Sequence, residues 1–358
     1  MKLIYVVRRF GPVGGMERYV WETARELNAL GHEVKVLCEI CLAEKPQGIT
    51  VHELGSVRSH PRWYALLRFG QKVKAWLTQH PHPDWLIHSH ERLGCHHITT
   101  YHGQPFATIR EKHWSRLISL RAVMHLFMEW RELSVAKRIV PVSQFSRQQL
   151  AHYYPAFAHK LTAPVEPGVS STVPREFRGV LREGGVIGFV GKEWRRKGLP
   201  FAAAVVERLR RTRPHLNFLV FGPEPAEVAH LFARWQGGYR LMGWTRQSSV
   251  AHFDVLLHPA KAEPYGMVIT EAMAARVPVV VSDVCGAAGQ VAADAGNVLP
   301  LAETIEAWAD AVEKQLCRNK AVPLFVRNWT QVAQENEGIY QRLLEQENEE
   351  HRLAFHPP

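Results

Sequence analysis

The first forty residues constrain the fold most. Residues 3–7 form a short apolar run rich in β-branched side chains, followed by a turn containing Gly11, Gly14 and Gly15. Residues 16–30 then carry Tyr19, Val20, Leu27 and Leu30 at helical spacing, and Gly31 stands where a helix end is capped. Residues 34–37 return to an apolar strand pattern. Strand, glycine turn, helix and strand in that order predict a βαβ unit, with parallel strands and a right-handed crossover.

The alternation continues along the chain. Short buried strands are expected at 84–88, 98–101 and 138–142, one or two helices rich in arginine and aromatics over 108–137, and a helix at 144–153 capped by Ser143. Pro164, Pro167 and Pro174 punctuate a stretch with little periodicity, which marks a linker. A second series comes next, with strands at 186–190, 218–221, 255–258 and 279–282 and helices at 199–211, 225–235 and 268–275. Residues 302–344 read as helix broken at Pro323, and the last fifteen residues read as a frayed tail. The whole is an α/β chain of two Rossmann-like, doubly wound domains. The expected boundaries are 1–165 for the first domain, 166–330 for the second, and 331–358 for a C-terminal helix packing back on the first domain. Ligands of such sheets lie at the carboxyl ends of the strands, so the two domains are expected to face a central cleft.

The 358 residues are 46% hydrophobic and 22% charged, which excludes a disordered or collagen-like chain. No apolar run approaches the roughly 20 residues of a membrane span, and the opening run leads into Arg8 and Arg9 without a signal-peptide pattern, so a cytoplasmic location is expected. Cys38, Cys41, Cys95, Cys285 and Cys317 are odd in number and scattered, which reads as buried, reduced thiols; the lone CxxC of Cys38 and Cys41 lacks a second pair to complete a zinc site. Residues 1–180 hold 24 Lys plus Arg against 14 Asp plus Glu, whereas residues 181–358 hold 20 of each. The positive excess therefore lies in the first half, where it would attract an anionic surface, a polyanion or an acidic substrate.

Three clusters carry the chemistry. The first is Gly11, Gly14 and Gly15, whose spacing fails the dinucleotide fingerprint but still lets backbone amides approach an anion at a helix start. Glu39, at the end of the second strand, leaves a nicotinamide enzyme open as a rival reading. The second is Lys192, Arg195, Arg196 and Lys197, just after the first strand of the second half, where a doubly wound domain takes phosphate. The third and most specific is the stretch 258–274, which joins a strand end to a helix. Glu263 and Glu271 are eight apart with Gly266 between them, so one carboxylate can accept from sugar hydroxyls and the other from a ribose diol, with the helix start facing a phosphate.

This third stretch resembles the E-x7-E signature of the retaining glycosyltransferases of family 4, which have the GT-B fold. Residues 275–280 and Cys285-Gly286 continue the pattern, with Arg276 where that family usually has glycine, and residues 256–260 and 284–286 are most similar to its lipopolysaccharide core glycosyltransferases. The resemblance implies roles residue by residue. Gly14 and Gly15 would meet the donor phosphate and Glu17 and Arg18 the acceptor; His102 would stand beside the donor sugar. Lys192 and Lys197 would grip the diphosphate, Glu263 the sugar and Glu271 the ribose. Gly266, Met267, Val268 and Ile269 would lie near the phosphate through their backbone. Arg195 and Arg196 have no assigned role.

The resemblance further implies transfer of a hexose, with UDP-glucose as the expected donor and retention at the anomeric carbon. It implies neither a metal nor a further cofactor, because lysines and a helix dipole would stabilise the departing diphosphate. The expected partners are the nucleotide sugar, a phosphorylated glycolipid acceptor of the lipopolysaccharide core type, and the inner face of the inner membrane. Arg110, Lys112, Arg116, Arg121 and Arg131, interleaved with Trp114, Leu117, Leu120, Phe127 and Trp130, read as a basic amphipathic surface for anionic headgroups, though at least half of the apolar members are expected in the core. His88, His90, His96, His97 and His102 crowd one stretch without a recognisable zinc spacing, so of these only His102 is expected in the site. The rival classes are a nucleotide-sugar epimerase, another polysaccharide or lipid acceptor, and a basic nucleic-acid-binding protein. No nucleic-acid-binding motif supports the last.

Overall fold

A computed structural model describes residues 1–57, 60–111, 119–170, 172–245 and 250–355. The chain divides into two compact units: Met1–Gly168 together with Asn328–Pro358, and Val169–Arg327.

In unit 1 the strands are β1 (Lys2–Val6), β2 (Arg9–Phe10), β3 (Glu33–Cys38), β4 (Ile40–Cys41), β5 (Thr50–Glu53), β6 (Leu86–Ser89), β7 (Ile98–Tyr101) and β8 (Arg138–Pro141). Its helices are α1 (Gly15–Ala29), α2 (Arg62–Gln79), α3 (Leu120–Val135) and α4 (Gln144–Tyr153). Six strands form one parallel sheet in the order β5-β3-β1-β6-β7-β8, which reverses direction of build between β1 and β6, as in a Rossmann fold. Leu3 to Val6 are fully buried, which is why the opening run is apolar on both faces. α1 ends where Gly31 enters the left-handed region: the amide of His32 donates to Leu27 O at 3.1 Å and that of Gly31 to Asn28 O at 3.0 Å, a Schellman closure.

Unit 2 repeats the plan. Its strands are β9 (Gly184–Val190), β10 (His215–Phe221), β11 (Tyr239–Gly243), β12 (Val255–His258), β13 (Val279–Ser282) and β14 (Gly296–Leu299), in the order β11-β10-β9-β12-β13-β14, all parallel. α5 (Leu199–Leu209), α6 (Pro225–Val228), α7 (Met267–Ala274) and α8 (Ile305–Leu316) flank it. The helix expected over 225–235 is only one turn of α-helix followed by a 3₁₀ turn at Ala229–Phe232. α7 also ends in a Schellman closure, with the amides of Arg276 and Val277 on Met273 O and Ala272 O at 3.0 and 2.8 Å. The left-handed position is held by Arg276 at φ 57°, where a glycine would carry no steric penalty.

The chain then returns to unit 1 as α9 (Trp329–Phe355), after a non-helical stretch that starts at 317 rather than only at Pro323. The expected frayed end is helical to Phe355. α9 packs along α1: Thr330 Oγ1 donates to Glu26 at 2.7 Å, Asn336 Nδ2 to Tyr19 Oη at 3.2 Å, and His32 Nε2 lies 3.1 Å from Glu337. Because α9 is acidic, it changes the charge map. Unit 1 holds 24 Lys plus Arg against 19 Asp plus Glu and unit 2 holds 20 against 15, so each carries +5 and the first-half excess is offset within the fold.

Beneath the carboxyl ends of β6 and β7 lies a buried histidine–tyrosine network. Tyr5 Oη and Tyr340 Oη are 2.6 Å apart, and His88 bridges Tyr340 Oη at 2.7 Å and Thr100 Oγ1 at 2.8 Å. His90 Nδ1 sits 2.9 Å from His102 Nε2. His96 is bonded to Glu132 O at 3.1 Å. Among the described residues no group of three or more His, Cys, Asp or Glu is placed to hold a metal ion. No described helix is long and apolar enough to cross a membrane. The five thiols are free, but only Cys38 and Cys285 are buried; Cys317 is exposed.

Burial lowers the proton affinity of these histidines, holding His96 at about 4 and His102 at about 3, with His88 and His90 also well below their ordinary value. At these histidines the folded state binds fewer protons than the unfolded one, so their stability is present above the unfolded histidine value and lost as pH falls below it, while Glu91 and Glu132, which burial raises to about 7, oppose that loss in part. Stability is expected to decline from about pH 6.5 toward pH 4, by about 1.4 kcal/mol per pH unit for each fully neutralised group. Urea titrations at pH 7.5 and pH 5 with equal midpoints would remove the effect.

Candidate active site

The carboxyl end of the unit 2 sheet brings the second and third sequence clusters together. β9 ends at Val190 and its loop runs to α5, while β12 ends at His258 and its loop runs to α7. Gly198, at φ 82°, lies so close to Pro259 O that a Cβ there would overlap the carbonyl, so only glycine lets the two loops meet. The amide of Lys261 donates to Arg196 O at 2.8 Å. On the other side, Gly286 N donates to Glu263 O at 2.9 Å and Ala287 N to Tyr265 O at 2.8 Å, so the segment after β13 fixes the backbone of Glu263. Ser282 Oγ donates to Ala260 O at 2.6 Å.

Glu263 is the centre of this assembly. It is buried and ion-paired with Lys197, with Arg196 Nη1 at 3.5 Å and His258 Nε2 at 3.6 Å. Arg196 also bonds Ala262 O and reaches back to Glu193. Burial alone would raise the Glu263 carboxyl, but the charge of Lys197 leads the opposing effects and, with His258 and Arg196, holds it far below the usual carboxylate range. His258 is fully buried, and burial lowers the proton affinity of its imidazole, with Glu263 opposing and Lys197 and Arg196 pushing the same way as burial. Neither of its ring nitrogens has a hydrogen-bond partner, since 3.6 Å to Glu263 is too long.

The remaining donor-side predictions divide. Lys192 and Arg195 are exposed, and Arg195 lies over the Trp194 ring at 4.0 Å rather than beside Glu263. Gly266 is left-handed at φ 97° and opens α7, and a Cβ on it would crowd Glu263 Cγ at 3.1 Å. The amide of Ile269 already donates to Gly266 O at 2.9 Å, so the amides left at this helix start are those of Met267 and Val268. Glu271 stands in the second turn of α7 and is half-buried. Sequence reasoning assigned no role to His258 and counted Arg196 only among the cations expected at phosphate; their signal is position, one closing β12 and the other preceding Lys197.

In unit 1, Gly14 precedes α1 in extended backbone and Gly15 is its first residue. A Cβ on Gly14 would collide with the Glu17 carboxylate, which is buried and takes Arg9 Nε at 3.0 Å. The amide of Arg18 donates to Gly14 O at 2.8 Å. His102 closes β7, half-buried, with one ring nitrogen on His90 and the edge of Tyr19 at 5.0 Å. Glu39 is held by Arg8 through bonds of 2.6 and 3.1 Å, which occupies the acid that a dinucleotide ribose would need.

The dominance of Lys197 over the Glu263 carboxyl is directly measurable. In the Lys197→Ala variant the carboxyl should titrate higher by about 1–3 pH units, followed by carboxyl carbon NMR. An unchanged titration would mean that Lys197 does not set it.

Residues 13–173 match the family model for Glycosyltransferase Family 4, and residues 184–319 match that for Glycosyl transferases group 1. The chain is 25% identical over 316 residues to the phosphatidyl-myo-inositol mannosyltransferase of Mycolicibacterium smegmatis, covering 82% of this chain and 78% of that protein. It is 22% identical over 347 residues to the lipopolysaccharide glucosyltransferase WaaG of Escherichia coli K12, covering 89% and 90%. The crystal structure of WaaG, a glycosyltransferase involved in lipopolysaccharide biosynthesis, superposes with a TM-score of 0.76 at 19% identity over 93% of this chain and 94% of that one, which shows the shared GT-B fold. With both halves matched in order and the two parallel sheets in place, the chain belongs to glycosyltransferase family 4 and is similar to its lipopolysaccharide core enzymes.

Proposed function

We propose that the protein is a retaining, metal-independent hexosyltransferase that uses a nucleotide-diphosphate sugar, UDP-glucose, and a phosphorylated glycolipid acceptor of the lipopolysaccharide core. The observation that carries this reading is the ion pair of half-buried Lys197 with buried Glu263 beside the start of α7. A cation, two free amides and a helix start in one place suit a diphosphate leaving group. Glu263, ionised and rigidly held, accepts from sugar hydroxyls, and Glu271 from the ribose. Unit 1 contributes His102 beside the sugar and Glu17 and Arg18 toward the acceptor. The departing phosphate oxygen takes the acceptor proton on the same face, which accounts for retention without a protein nucleophile. The name of the WaaG relative supports the glucose donor and core acceptor; the mannosyltransferase relative, named for phosphatidyl-myo-inositol, supports another anionic lipid as the second reading.

Thermal shift with a panel of nucleotide sugars tests the donor, and mass change of truncated core lipopolysaccharide tests the transfer. Glu271→Ala should fold and lose about ten- to hundredfold in donor affinity, and Lys197→Ala should lose about 10²–10³ in kcat. Wild-type donor affinity in the first variant would take Glu271 out of the site, and stabilisation by NAD alone would overturn the reading.

The same reading puts the protein peripherally on the cytoplasmic face of the inner membrane. Its support is α3, where Leu120, Val123, Phe127 and Trp130 form one outward stripe, 65%, 50%, 47% and 52% exposed, flanked by Arg121 and Arg131. At least half of Trp114, Leu117, Leu120, Phe127 and Trp130 were expected in the core, yet the core face of α3 consists of Ala122, His125, Met128 and Leu133 with Glu129 and Glu132. Lys112, Trp114, Arg116 and Leu117 lie outside the described residues. With unit 1 at only +5, the stripe and its local arginines carry the contact. Phe127→Ser with Trp130→Ser should weaken sedimentation with vesicles containing phosphatidylglycerol by about tenfold or more, while donor binding is kept. Equal sedimentation would move the contact elsewhere.

A further inference from the structure

A second cationic feature of unit 2 lies at the opposite end of its sheet from Glu263. Arg175, Arg276, Arg318 and Lys320 line a small, partly open pocket, with Phe177 and Val322 as its apolar wall. Arg276 lies three residues before β13, and the partners of Arg175 and Arg318 are Asp254 before β12 and Asp294 before β14, so the pocket sits at the amino ends of three strands. No described lining residue is acidic.

The charge here is under-compensated. Asp254 is shared, its Oδ1 taking Arg175 Nη1 at 3.1 Å and Arg178 Nη2 at 3.0 Å. Arg318 spends its donors on neutral oxygens, Lys320 O, Asp294 O and Gln315 Oε1, each at 2.7 Å. Burial and the neighbouring Arg175 lower the proton affinity of Arg318, with Asp294 opposing. Lys320 is exposed. Arg276 Nε is buried without a hydrogen-bond partner. Its backbone is left-handed, so a strained position carries an arginine whose buried donor is unmet.

We propose that this pocket binds a phosphate-sized oxyanion, inorganic phosphate or a phosphate monoester, held by Arg276 and Lys320 in the field of Arg175 and Arg318. A tetrahedral oxyanion would bring negative charge to a lining that holds four cations and no carboxylate, with Lys320 exposed to receive it. The pocket is walled by both chain segments that connect unit 2 to unit 1, since Arg175 comes after the crossing at Val169 and residues 318–322 precede the return after Arg327. The two segments are already joined by Val169 N on Arg327 O at 2.7 Å. A bound anion would tie them further.

The test is thermal denaturation in inorganic phosphate against chloride at equal ionic strength, for the wild type, Arg276→Gly, Lys320→Ala and Lys197→Ala. Arg276→Gly relieves the left-handed backbone, so its own melting in chloride reports an intact fold. Phosphate should raise the melting temperature of the wild type and of Lys197→Ala by about 2–4 °C. At least half of that rise should vanish in Arg276→Gly and in Lys320→Ala. Running the series with glucose 6-phosphate separates the sources, a larger rise than with phosphate marking an ester ligand. A rise kept in Arg276→Gly but lost in Lys197→Ala would place the anion in the donor site and overturn the proposal, as would equal rises in all four proteins or none.

Discussion

A carboxylate buried among cations organises unit 2. Taken out of water alone, Glu263 would protonate; Lys197 keeps it charged, and the pair is tolerable only because Arg196 and His258 fill the rest of its surroundings. That arrangement needs three loops to meet at the strand ends. Gly198 permits the contact with Pro259, the amide of Lys261 ties one loop to Arg196, and Gly286 and Ala287 tie the other to Glu263 and Tyr265. The glycines and the acid are therefore one device, and the geometry offered to a diphosphate is set before any ligand arrives.

Legibility in the sequence depends on where each signal lies. β1, β12 and β13 lie inside their sheets as apolar runs interrupted only at an end residue, whereas β7 is equally buried but carries Thr99 and Thr100, and β3 and β9 are apolar with interruptions at Lys35 and Gly188. β5, β11 and β14 are at or beside sheet edges, with burial on one face at most, and their mixed residues gave no run to detect. α2 escaped because Gly70 and several lysines and arginines interrupt a narrow buried stripe of Ala65, Leu66, Phe69 and Val73.

The site was readable where it is local in sequence. Glu263, Gly266 and Glu271 stand in one strand-to-helix stretch, so spacing alone groups them. Lys197 was found by its place after a strand, whereas the choice of Lys197 over Lys192 as partner of Glu263 needed three dimensions. His258 had only its position as a signal, since a histidine ending a buried strand looks the same whether or not it faces a carboxylate. The charge count misled for a different reason. Chain halves are not folding units when the last helix rejoins the first, and the acidic face of α9 was credited to the wrong one.

That return has a consequence for biosynthesis. Tyr340 closes the hydrogen bonds of Tyr5 and His88, and Asn336 reaches Tyr19, yet more than 300 residues separate the outer partners. On the ribosome the sheet that contains Lys2–Val6 lacks the partners of its buried phenols and imidazoles until α9 is made, whereas every residue of the Val169–Arg327 unit is present before α9 begins. Nascent chains halted before α9 would thus hold all of the second unit and a first unit still missing its last helix.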